Sequence, residues 1–435
     1  MSLSPAPLSS LFPTGGVKPS RARYKVLAFV VAAYFITYID RVLLSASVPS
    51  IEKEFGFTTI TMGWVLFSYQ IAYAAFQIPG GWLGDRIGPR LAMTGVVIWW
   101  STFTALTSFT WSATSMAICL FLIGMGEAGA FPIANRALSR WMLPAERGMS
   151  QGVTHAGSRL GGALTPVMVV ALIAMYSWRA PFLIFAVVGI VWAVLWYRFY
   201  RNTPYEHASV NEGEREIITA ALGTFAKGRR KVPWGQILRN PQTWLLSGMY
   251  FCYGYDIGVF LSWFPKYLNA ARGLDLQQMG IYASLPLLAG LFGDILGGLT
   301  SDLLLKRTGN LKFSRRIVSV VGFTLAGIAV TLAASAADPM VSIAWFCVAV
   351  FGLELTVGVS WAVTLDIGGE FAGSVSAVMN TLGNVGAAIA IALTAYVVSV
   401  SGWGAAFGII AGLALVAAML CFTIDASRRL YKIDS

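Results

Sequence analysis

Residues 91–107 read LAMTGVVIWWSTFTALT and carry no charged side chain. Residues 26–39, VLAFVVAAYFITYI, form a second uncharged block. A helix of about 20 apolar residues crosses the ~30 Å hydrocarbon core of a lipid bilayer. Both blocks are apolar along their whole length instead of on one helical face, so they predict membrane-spanning helices.

The composition extends this prediction to the whole chain. Of the 435 residues, 57% are hydrophobic and 12% are charged, which is about half the charged share of a soluble domain. Similar apolar blocks predict twelve spans, near 25–47, 60–82, 91–112, 114–138, 151–174, 179–199, 241–268, 279–304, 315–336, 339–365, 371–398 and 402–424. The predicted fold class is therefore an all-α polytopic membrane protein with twelve transmembrane helices.

Three polar stretches divide the chain. Residues 1–24 lack the apolar core of a signal peptide, and we predict a disordered cytoplasmic tail there. Residues 200–240 form the longest internal polar stretch, which predicts a cytoplasmic linker between six-helix halves at 25–199 and 241–424. Residues 425–435 are predicted to form a second cytoplasmic tail.

The basic residues indicate the orientation of the chain. If the N-terminus is cytoplasmic, 25 of the 31 lysines and arginines fall on the cytoplasmic side. The opposite side has Lys53, Arg179, Lys266 and Arg272, and the spans contain Arg41 and Arg159. This asymmetry follows the positive-inside rule, so we predict a multi-pass protein of the cell (inner) membrane with both termini in the cytoplasm. It also accounts for the net charge of +11 without nucleic acid binding.

Several functional classes are disfavoured by what the sequence lacks. Its four cysteines lie singly in apolar spans, and its two histidines, His155 and His207, are far apart, so neither a disulfide framework nor a zinc site is indicated. No phosphate-binding loop pattern is present, which argues against an ATP-driven pump. We therefore predict neither an enzyme nor a cofactor, and a transmembrane proton or sodium gradient as the energy source.

The two halves repeat each other in sequence. Three sets of residues recur at separations of 216, 217 and 225: Tyr34, Phe35, Asp40 and Pro49 as Tyr250, Phe251, Asp256 and Pro265; Gly80, Gly81 and Asp85 as Gly297, Gly298 and Asp302; Gly148, Gly161, Trp178 and Phe182 as Gly373, Gly386, Trp403 and Phe407. Repeated halves in membrane proteins enclose a substrate site at their interface. The repeat thus predicts two six-helix pseudo-repeats and a transporter.

The segment from Gly81 to Arg90, GWLGDRIGPR, lies between predicted spans 2 and 3. It resembles the loop signature of the major facilitator superfamily, G-x-L-x-D-R-x-G-x-R. The resemblance implies the major facilitator fold. It also implies a gating motif at Gly81, Asp85, Arg86, Gly88 and Arg90, in which the aspartate and arginine pair with neighbouring helix ends.

Two further segments carry a narrower resemblance. YIDR, ending at Arg41, and GMGEAGAFPIANR, residues 124–136, resemble the anion:cation symporter family, as does the run from Tyr73 through Gln77 in span 2. That family carries organic anions such as hexuronates, aldonates and aromatic acids with protons or sodium.

One position departs from the family pattern. Several members have a second arginine in span 4, where this chain has Leu120. An arginine instead occurs in span 5, at Arg159. We predict that Arg159 supplies a displaced second positive charge.

The charged residues well inside the predicted spans, away from the span ends, are Asp40, Arg41, Glu127, Arg159, Asp256, Asp294 and Glu354. Such residues are costly in hydrocarbon and generally mark functional sites. By the repeat, Arg41 corresponds to Ile257, which has no charge. The guanidinium of Arg41 can hold a carboxylate bidentately. We predict that Arg41 and Arg159 bind substrate and that Glu127, with Asp40, couples protons; a structural ion pair of Arg41 is the alternative.

Other residues of the spans are candidates for the cavity wall. His155 and Arg159 correspond by the repeat to Asn380 and Asn384, and each pair is four residues apart on one helical face. Structural hydrogen bonding between helices is the alternative for these polar residues. The further candidate substrate contacts are Tyr38, Tyr73, Ser360 and Trp361. Asp294 and Glu354 are predicted to act in helix packing or gating and are given no substrate role.

The predicted function is proton-coupled symport of an organic carboxylate, such as a hexuronate or aldonate, by a monomer that alternates its access. The predicted partners are a small organic anion, a co-transported cation and the lipid bilayer. A sodium-coupled anion symporter, a drug/proton antiporter and a non-transporting membrane sensor remain as alternatives.

Overall fold

The computed structural model describes residues 18–223, 231–274 and 276–430. Within those ranges the chain consists of α-helices, short 3-10 segments and turns, with no β-strand. The predicted all-α fold class is confirmed.

Helices α1 to α7 form the first half: Ala22–Phe55, Thr59–Ile87, Pro89–Thr107, Ala113–Glu127, Ala130–Trp141, Arg147–Met175 and Arg179–Phe199. Two short helices of the linker follow, α8 (Glu212–Leu222) and α9 (Trp234–Arg239). Helices α10 to α15 form the second half: Pro241–Ala270, Leu276–Thr308, Leu311–Ser335, Pro339–Leu355, Val357–Gly368 and Ala372–Thr423.

These helices make twelve crossing segments. Eight stretches in the described ranges are long and apolar enough to span a membrane, and one of them, 339–391, contains both α13–α14 and the start of α15. Helices α2, α3 and α10 add segments of 29, 19 and 30 residues. Two crossings are continuous pairs, α4–α5 and α13–α14. Helix α15 makes two crossings because Gly402 takes a left-handed φ of 77°, which interrupts it.

The two halves meet where glycines replace side chains. A Cβ atom on Gly298 of α11 would collide with the backbone oxygen of Gly148 at the start of α6. By the repeat, Gly81 of α2 faces Gly373 at the start of α15 in the same way, and a Cβ atom there would lie 2.5 Å from the backbone oxygen. Small residues let membrane helices approach to backbone contact. The halves are therefore closely packed on the face of the protein that carries the linker, called here the linker side.

The start of the described chain is ordered, so the predicted disorder is wrong for residues 18–24. Glu214 of α8 accepts hydrogen bonds from the Ser20 hydroxyl (2.5 Å), from the backbone N–H of Ala22 (3.0 Å) and from Arg23 Nη1 (3.0 Å). These contacts satisfy donors at the N-terminus of α1 that have no partner within the helix. Residues 1–17 lie outside the described residues.

The second linker helix and the end of the chain pack on the second half. Ile237 of α9 forms an apolar cluster with Phe371 and Val375 at the start of α15. The backbone N–H of Leu430 donates to the carbonyl of Ile367 at 3.0 Å. The last predicted tail residues, 431–435, lie outside the described residues.

Candidate functional site

Arg41 of α1 forms an ion pair with Glu127 at the end of α4. Its Nε lies 3.3 Å from Glu127 Oε2, and the Tyr69 hydroxyl donates to the same oxygen at 2.6 Å. The Arg41 side chain is 24% exposed, whereas that of Glu127 is fully buried. Arg41 Nη2 and Glu127 Oε1 have no hydrogen-bond partner among the described residues. The arginine side chain is therefore partly exposed and has one guanidinium nitrogen without a partner, while the carboxylate is enclosed by protein.

Aromatic rings surround the Arg41 guanidinium. Its central carbon lies 4.2 Å from the ring centroid of Tyr73, 5.2 Å from that of Tyr38 and 5.3 Å from that of Phe131. Tyr69 and Tyr73 are four residues apart on α2, so both rings face α1. Such faces stabilise a cation without neutralising it. Tyr38 and Tyr73 thus lie beside Arg41, and their role as substrate contacts stays a prediction. Tyr69, four residues before Tyr73 on the same helical face, was missed from the sequence.

Asp40 faces a different neighbour from Arg41. Its Oδ2 accepts a hydrogen bond of 3.0 Å from the indole Nε1 of Trp100 on α3. Adjacent residues on a helix point about 100° apart, which accounts for the separate partners. Leu120 lines a narrow cleft with Asp40, Arg41 and Tyr69, so an arginine at this position, as in several members of the family, would lie beside Arg41.

Arg159 of α6 is paired with carboxylates of the other half. It forms an ion pair with Glu354 of α13, and its Nε lies 3.5 Å from Oδ2 of Asp294 on α11. The hydroxyl of Tyr253 donates to both Glu354 oxygens at 3.2 Å. The displaced positive charge is thus beside second-half residues and not beside Glu127. The sequence marked Asp294 and Glu354 as intramembrane charges but gave them no partner.

His155 and Trp361 belong to an aromatic group between the two arginines. The His155 ring centroid lies 5.3 Å from that of Trp361, 5.4 Å from Tyr34 and 6.2 Å from Phe131. Trp361 Nε1 donates to the Tyr250 hydroxyl at 2.8 Å. In this group the Tyr34 hydroxyl and His155 Nε2 have no hydrogen-bond partner among the described residues.

The remaining candidates lie apart from the arginines. Asn380 Nδ2 donates to Gln77 Oε1 at 2.7 Å, which links α15 to α2 across the halves, and Asn384 Nδ2 donates to the Asn380 carbonyl at 2.8 Å. The Ser360 hydroxyl donates to the Thr356 carbonyl at 2.7 Å and packs beside Met249. Ser360 therefore lies in the packing between α14 and α10, and its prediction as a substrate contact is not supported by this geometry.

The predicted gating motif joins the halves through Asp85. Its Oδ2 accepts the backbone N–H of Ser374 at 2.7 Å, and its Oδ1 lies 3.3 Å from Arg136 Nε. By the repeat, Asp302 accepts the backbone N–H groups of Gly148 and Met149 at 3.1 and 2.7 Å. Each aspartate thus caps the first turn of a helix in the opposite half.

The two arginines of the motif contact residues of the first half. Arg86 lies over the Trp82 ring at 4.7 Å, and Arg90 Nε donates to the Tyr197 carbonyl at 2.9 Å. Gly88 has a φ of 86°, which permits the tight turn between α2 and α3. Of the aspartate and arginine expected to pair with neighbouring helix ends, Asp85 contacts the start of α15, whereas Arg86 lies over Trp82 of its own helix.

A buried ion network completes the contact between halves on the linker side. Asp366 of α14 accepts from Arg147 of α6 at 2.6 Å and from Arg315 of α12 at 3.0 Å. Arg315 also donates to Asp302 at 2.7 Å and to the Pro144 carbonyl at 2.8 Å. The sequence analysis missed this network because its members lie in loops and helix ends that are far apart along the chain. The structure is therefore closed on the linker side.

The described residues contain no group of three or more His, Cys, Asp or Glu side chains able to hold a metal ion. The two arginine centres instead offer fixed positive charges, each balanced by buried carboxylates. Such an arrangement can bind an anion and exchange a proton, and it has no nucleophile poised for covalent chemistry.

Comparison with known proteins identifies the family to which this architecture belongs. The sequence profile of the Major Facilitator Superfamily matches residues 30–391. A probable sulfoacetate transporter of Cupriavidus necator is 39% identical, covering 83% of this chain and 84% of its own. The hexuronate transporter of Bacillus subtilis is 30% identical, covering 92% and 94%. The structure of the transporter FucP in the outward conformation has a similar fold, with a TM-score of 0.74 at 12% identity, covering 92% and 99%. The chain is thus a multi-pass membrane transporter and not an enzyme, and it belongs to the major facilitator superfamily.

Proposed function

We propose that the protein is a proton-coupled symporter of a small organic anion and works by alternating access. The observation that carries this proposal is the Arg41–Glu127 pair, in which the cation is partly exposed and the carboxylate is fully buried. An arginine stays charged in such a site and matches a carboxylate or sulfonate through its planar fork. A buried glutamate beside it can bind a proton once the arginine takes another anion.

The cycle follows from this pair. A substrate carboxylate binds the Arg41 guanidinium, whose Nη2 has no hydrogen-bond partner among the described residues, and displaces Glu127. Glu127 keeps only the hydrogen bond from Tyr69 and takes up a proton. Arg41 is then balanced by substrate and Glu127 is neutral, so the site carries no uncompensated charge when the halves move. An empty site with Glu127 ionised retains its ion pair, and an empty site with Glu127 protonated leaves Arg41 unbalanced.

The substrate class is supported by the relatives. The relatives are named as transporters of sulfoacetate, hexuronate and galactarate or D-glucarate, all of which are organic acids. The asymmetry of the repeat agrees, because Arg41 corresponds to Ile257 and span 7 offers no second arginine for a phosphate ester. We propose a substrate that binds Arg41 through a carboxylate and Arg159 through a second polar or anionic group.

The energy source and orientation are part of the proposal. A transmembrane proton gradient drives uptake, and no cofactor takes part. In this proposal the protein is a monomer in the inner membrane. The linker side faces the cytoplasm, and both termini lie there. The distribution of lysine and arginine supports this orientation.

Uptake by the purified protein in proteoliposomes tests the proposal. Labelled glucuronate and labelled sulfoacetate are the probes, with an imposed proton gradient. Glu127→Gln is expected to exchange internal for external substrate while losing accumulation against a gradient, because glutamine mimics the protonated side chain. Glu216→Gln, an exposed carboxylate on α8, is the matched control and should behave as wild type.

Other outcomes separate the alternatives. Undiminished accumulation by Glu127→Gln contradicts the coupling role. Accumulation that follows a sodium gradient without a proton gradient indicates sodium coupling. Uptake of organic cations with indifference to carboxylates indicates a drug/proton antiporter, and a thermal shift with either acid but no transport of it indicates a sensor.

A further inference from the structure

A second cluster of ionisable side chains lies apart from the Arg41–Glu127 pair. Arg159 is paired with Glu354 and Asp294, whose side chains are 1% and 0% exposed, while Arg159 itself is 17% exposed. The cluster contains one cation and two carboxyl groups. If both carboxyl groups were ionised, the centre of the protein would hold an uncompensated negative charge, which is strongly unfavourable within a membrane.

The two carboxyl groups differ in how well they are satisfied. Glu354 is held by Arg159 and by a bifurcated hydrogen bond from the Tyr253 hydroxyl, which lies 3.2 Å from each carboxylate oxygen. Asp294 has only the 3.5 Å contact with Arg159 Nε, and neither of its oxygens has a hydrogen-bond partner among the described residues. The charge of Asp294 is therefore less well compensated by its surroundings than that of Glu354.

The carboxyl groups are also close to one another. The Glu354 side chain packs over Gly290 and Gly293, within one turn of Asp294 on α11; a Cβ atom on Gly290 would lie 2.8 Å from Glu354 Cγ. Both carboxyl groups also contact the same Arg159 guanidinium, so they are neighbours. Two neighbouring carboxyl groups titrate as a pair and can hold one proton between them.

We propose that Asp294 and Glu354 form a second proton-binding site, in which they share one proton while Arg159 pairs with Glu354. The other titratable groups that face the cluster are Tyr38 of α1, His155 of α6, and Tyr250 and Tyr253 of α10. Phenols are neutral at neutral pH, so they add no anion to attract a metal ion. The Arg159 guanidinium contacts both carboxyl groups and already supplies a positive charge there, which favours a proton over a sodium ion.

The cluster spans the interface between the halves. Arg159 belongs to the first half, whereas Asp294, Glu354 and Tyr253 belong to the second. An anionic group of the substrate that binds Arg159 releases Glu354, and the pair then takes a second proton from solvent for the same electrostatic reason. This step rests on the proposed symport, whereas the shared proton of the empty protein does not.

Infrared spectra of the full-length protein in lipid, without substrate, test the shared proton. Asp294→Asn is expected to remove a carboxylic-acid C=O band present in the wild type at neutral pH, and Glu354→Gln is expected to shift that band. Asp256→Asn is the matched control, since Asp256 is equally buried and has no hydrogen-bond partner in the described ranges. The C=O band that is lost in Asp256→Asn should not shift in Glu354→Gln.

Three results would overturn the proposal at this stage. They are the absence of an acid band from Asp294, a band indifferent to Glu354→Gln, and loss of the band when sodium chloride replaces choline chloride, which would mean that sodium occupies the site.

Transport assays measure the coupling of proton uptake to anion uptake. Simultaneous recording of proton and labelled glucuronate or sulfoacetate uptake gives the proton-to-anion ratio. Glu354→Gln is expected to lower this ratio by one while retaining exchange of substrate, and Asp256→Asn should leave it unchanged. An unchanged ratio in Glu354→Gln contradicts the coupling. Absence of transport of either acid by the wild type contradicts the proposed function, while the infrared result still decides the shared proton.

Discussion

Asp85 Oδ2 accepts a hydrogen bond of 2.7 Å from the backbone N–H of Ser374, so a side chain at the end of α2 caps the first turn of α15 in the other half. Asp302 makes the equivalent cap on α6. A carboxylate at a helix N-terminus satisfies free N–H groups and complements the helix dipole. Two caps related by the internal repeat therefore hold the linker side closed, and both must break before that side can open.

Removing the charge of either cap should favour the open linker side. Hydrogen bonds to charged groups contribute roughly 1.5–3 kcal/mol, so Asp85→Asn is expected to raise the population of the open state about tenfold or more. Asp302→Asn should have a similar effect. The measurement is the alkylation rate of Ser376→Cys, a buried position of α15, in a chain with its four native cysteines replaced by alanine.

The same variants should slow substrate uptake, because the closed linker side is one of the two states of the cycle. Glu216→Gln, exposed on α8, serves as the control for loss of a surface carboxylate. An alkylation rate in Asp85→Asn equal to that of the control would show that this cap does not hold the gate.

Arg41→Lys separates charge from geometry at the substrate site. Lysine keeps a positive charge but lacks the planar fork and the stacking over Tyr73 and Phe131. We expect Arg41→Lys to raise the KM for uptake about tenfold, which corresponds to ~1.4 kcal/mol, and Arg41→Gln to abolish specific uptake. Equal activity of the two variants would contradict a role for the positive charge, and kinetics in proteoliposomes with labelled glucuronate or sulfoacetate measures both.

The sequence predicted the elements better than their contacts. Uncharged blocks such as 91–107 predict helices directly, since a membrane span must be apolar and hydrogen-bonded within itself. Intramembrane charge likewise marked Arg41, Glu127 and Arg159. The partner of Arg159, however, is Glu354, which is 195 residues away. That pairing depends on the rotation and tilt of α6 and α13, which hydropathy does not encode.

The internal repeat already indicated which residues are equivalent in the contact between the halves. It aligned Asp85 with Asp302 and Gly148 with Gly373, and the structure joins these residues crosswise between the halves. Ser360 shows the opposite case, because a hydroxyl in a helix can satisfy itself on the preceding turn. Whether such a side chain faces a cavity or a neighbouring helix cannot be decided from its type.

Glu214→Ala should destabilise the protein without touching the site. It would leave the Ser20 hydroxyl, the Ala22 N–H and the Arg23 guanidinium short of an acceptor. Loss of a buried charged acceptor costs roughly 1.5–3 kcal/mol, so the apparent midpoint of thermal unfolding should fall by several degrees. Glu216→Ala on the same helix is the control, and an equal midpoint in both variants would contradict the docking of α8 on α1.

Gly298→Ala tests whether close approach of the halves is needed for the cycle. Alanine stabilises a helix interior relative to glycine by about 1 kcal/mol, so the fold of α11 should not suffer. The added Cβ atom would nevertheless collide with the Gly148 backbone when the linker side closes. We therefore expect normal expression and thermal stability, a linker side held open and loss of accumulation. Gly95→Ala on α3, where no atom lies within 4 Å of the new Cβ, is the matched control and should transport normally. Wild-type accumulation by Gly298→Ala would mean that the halves need not come this close during transport.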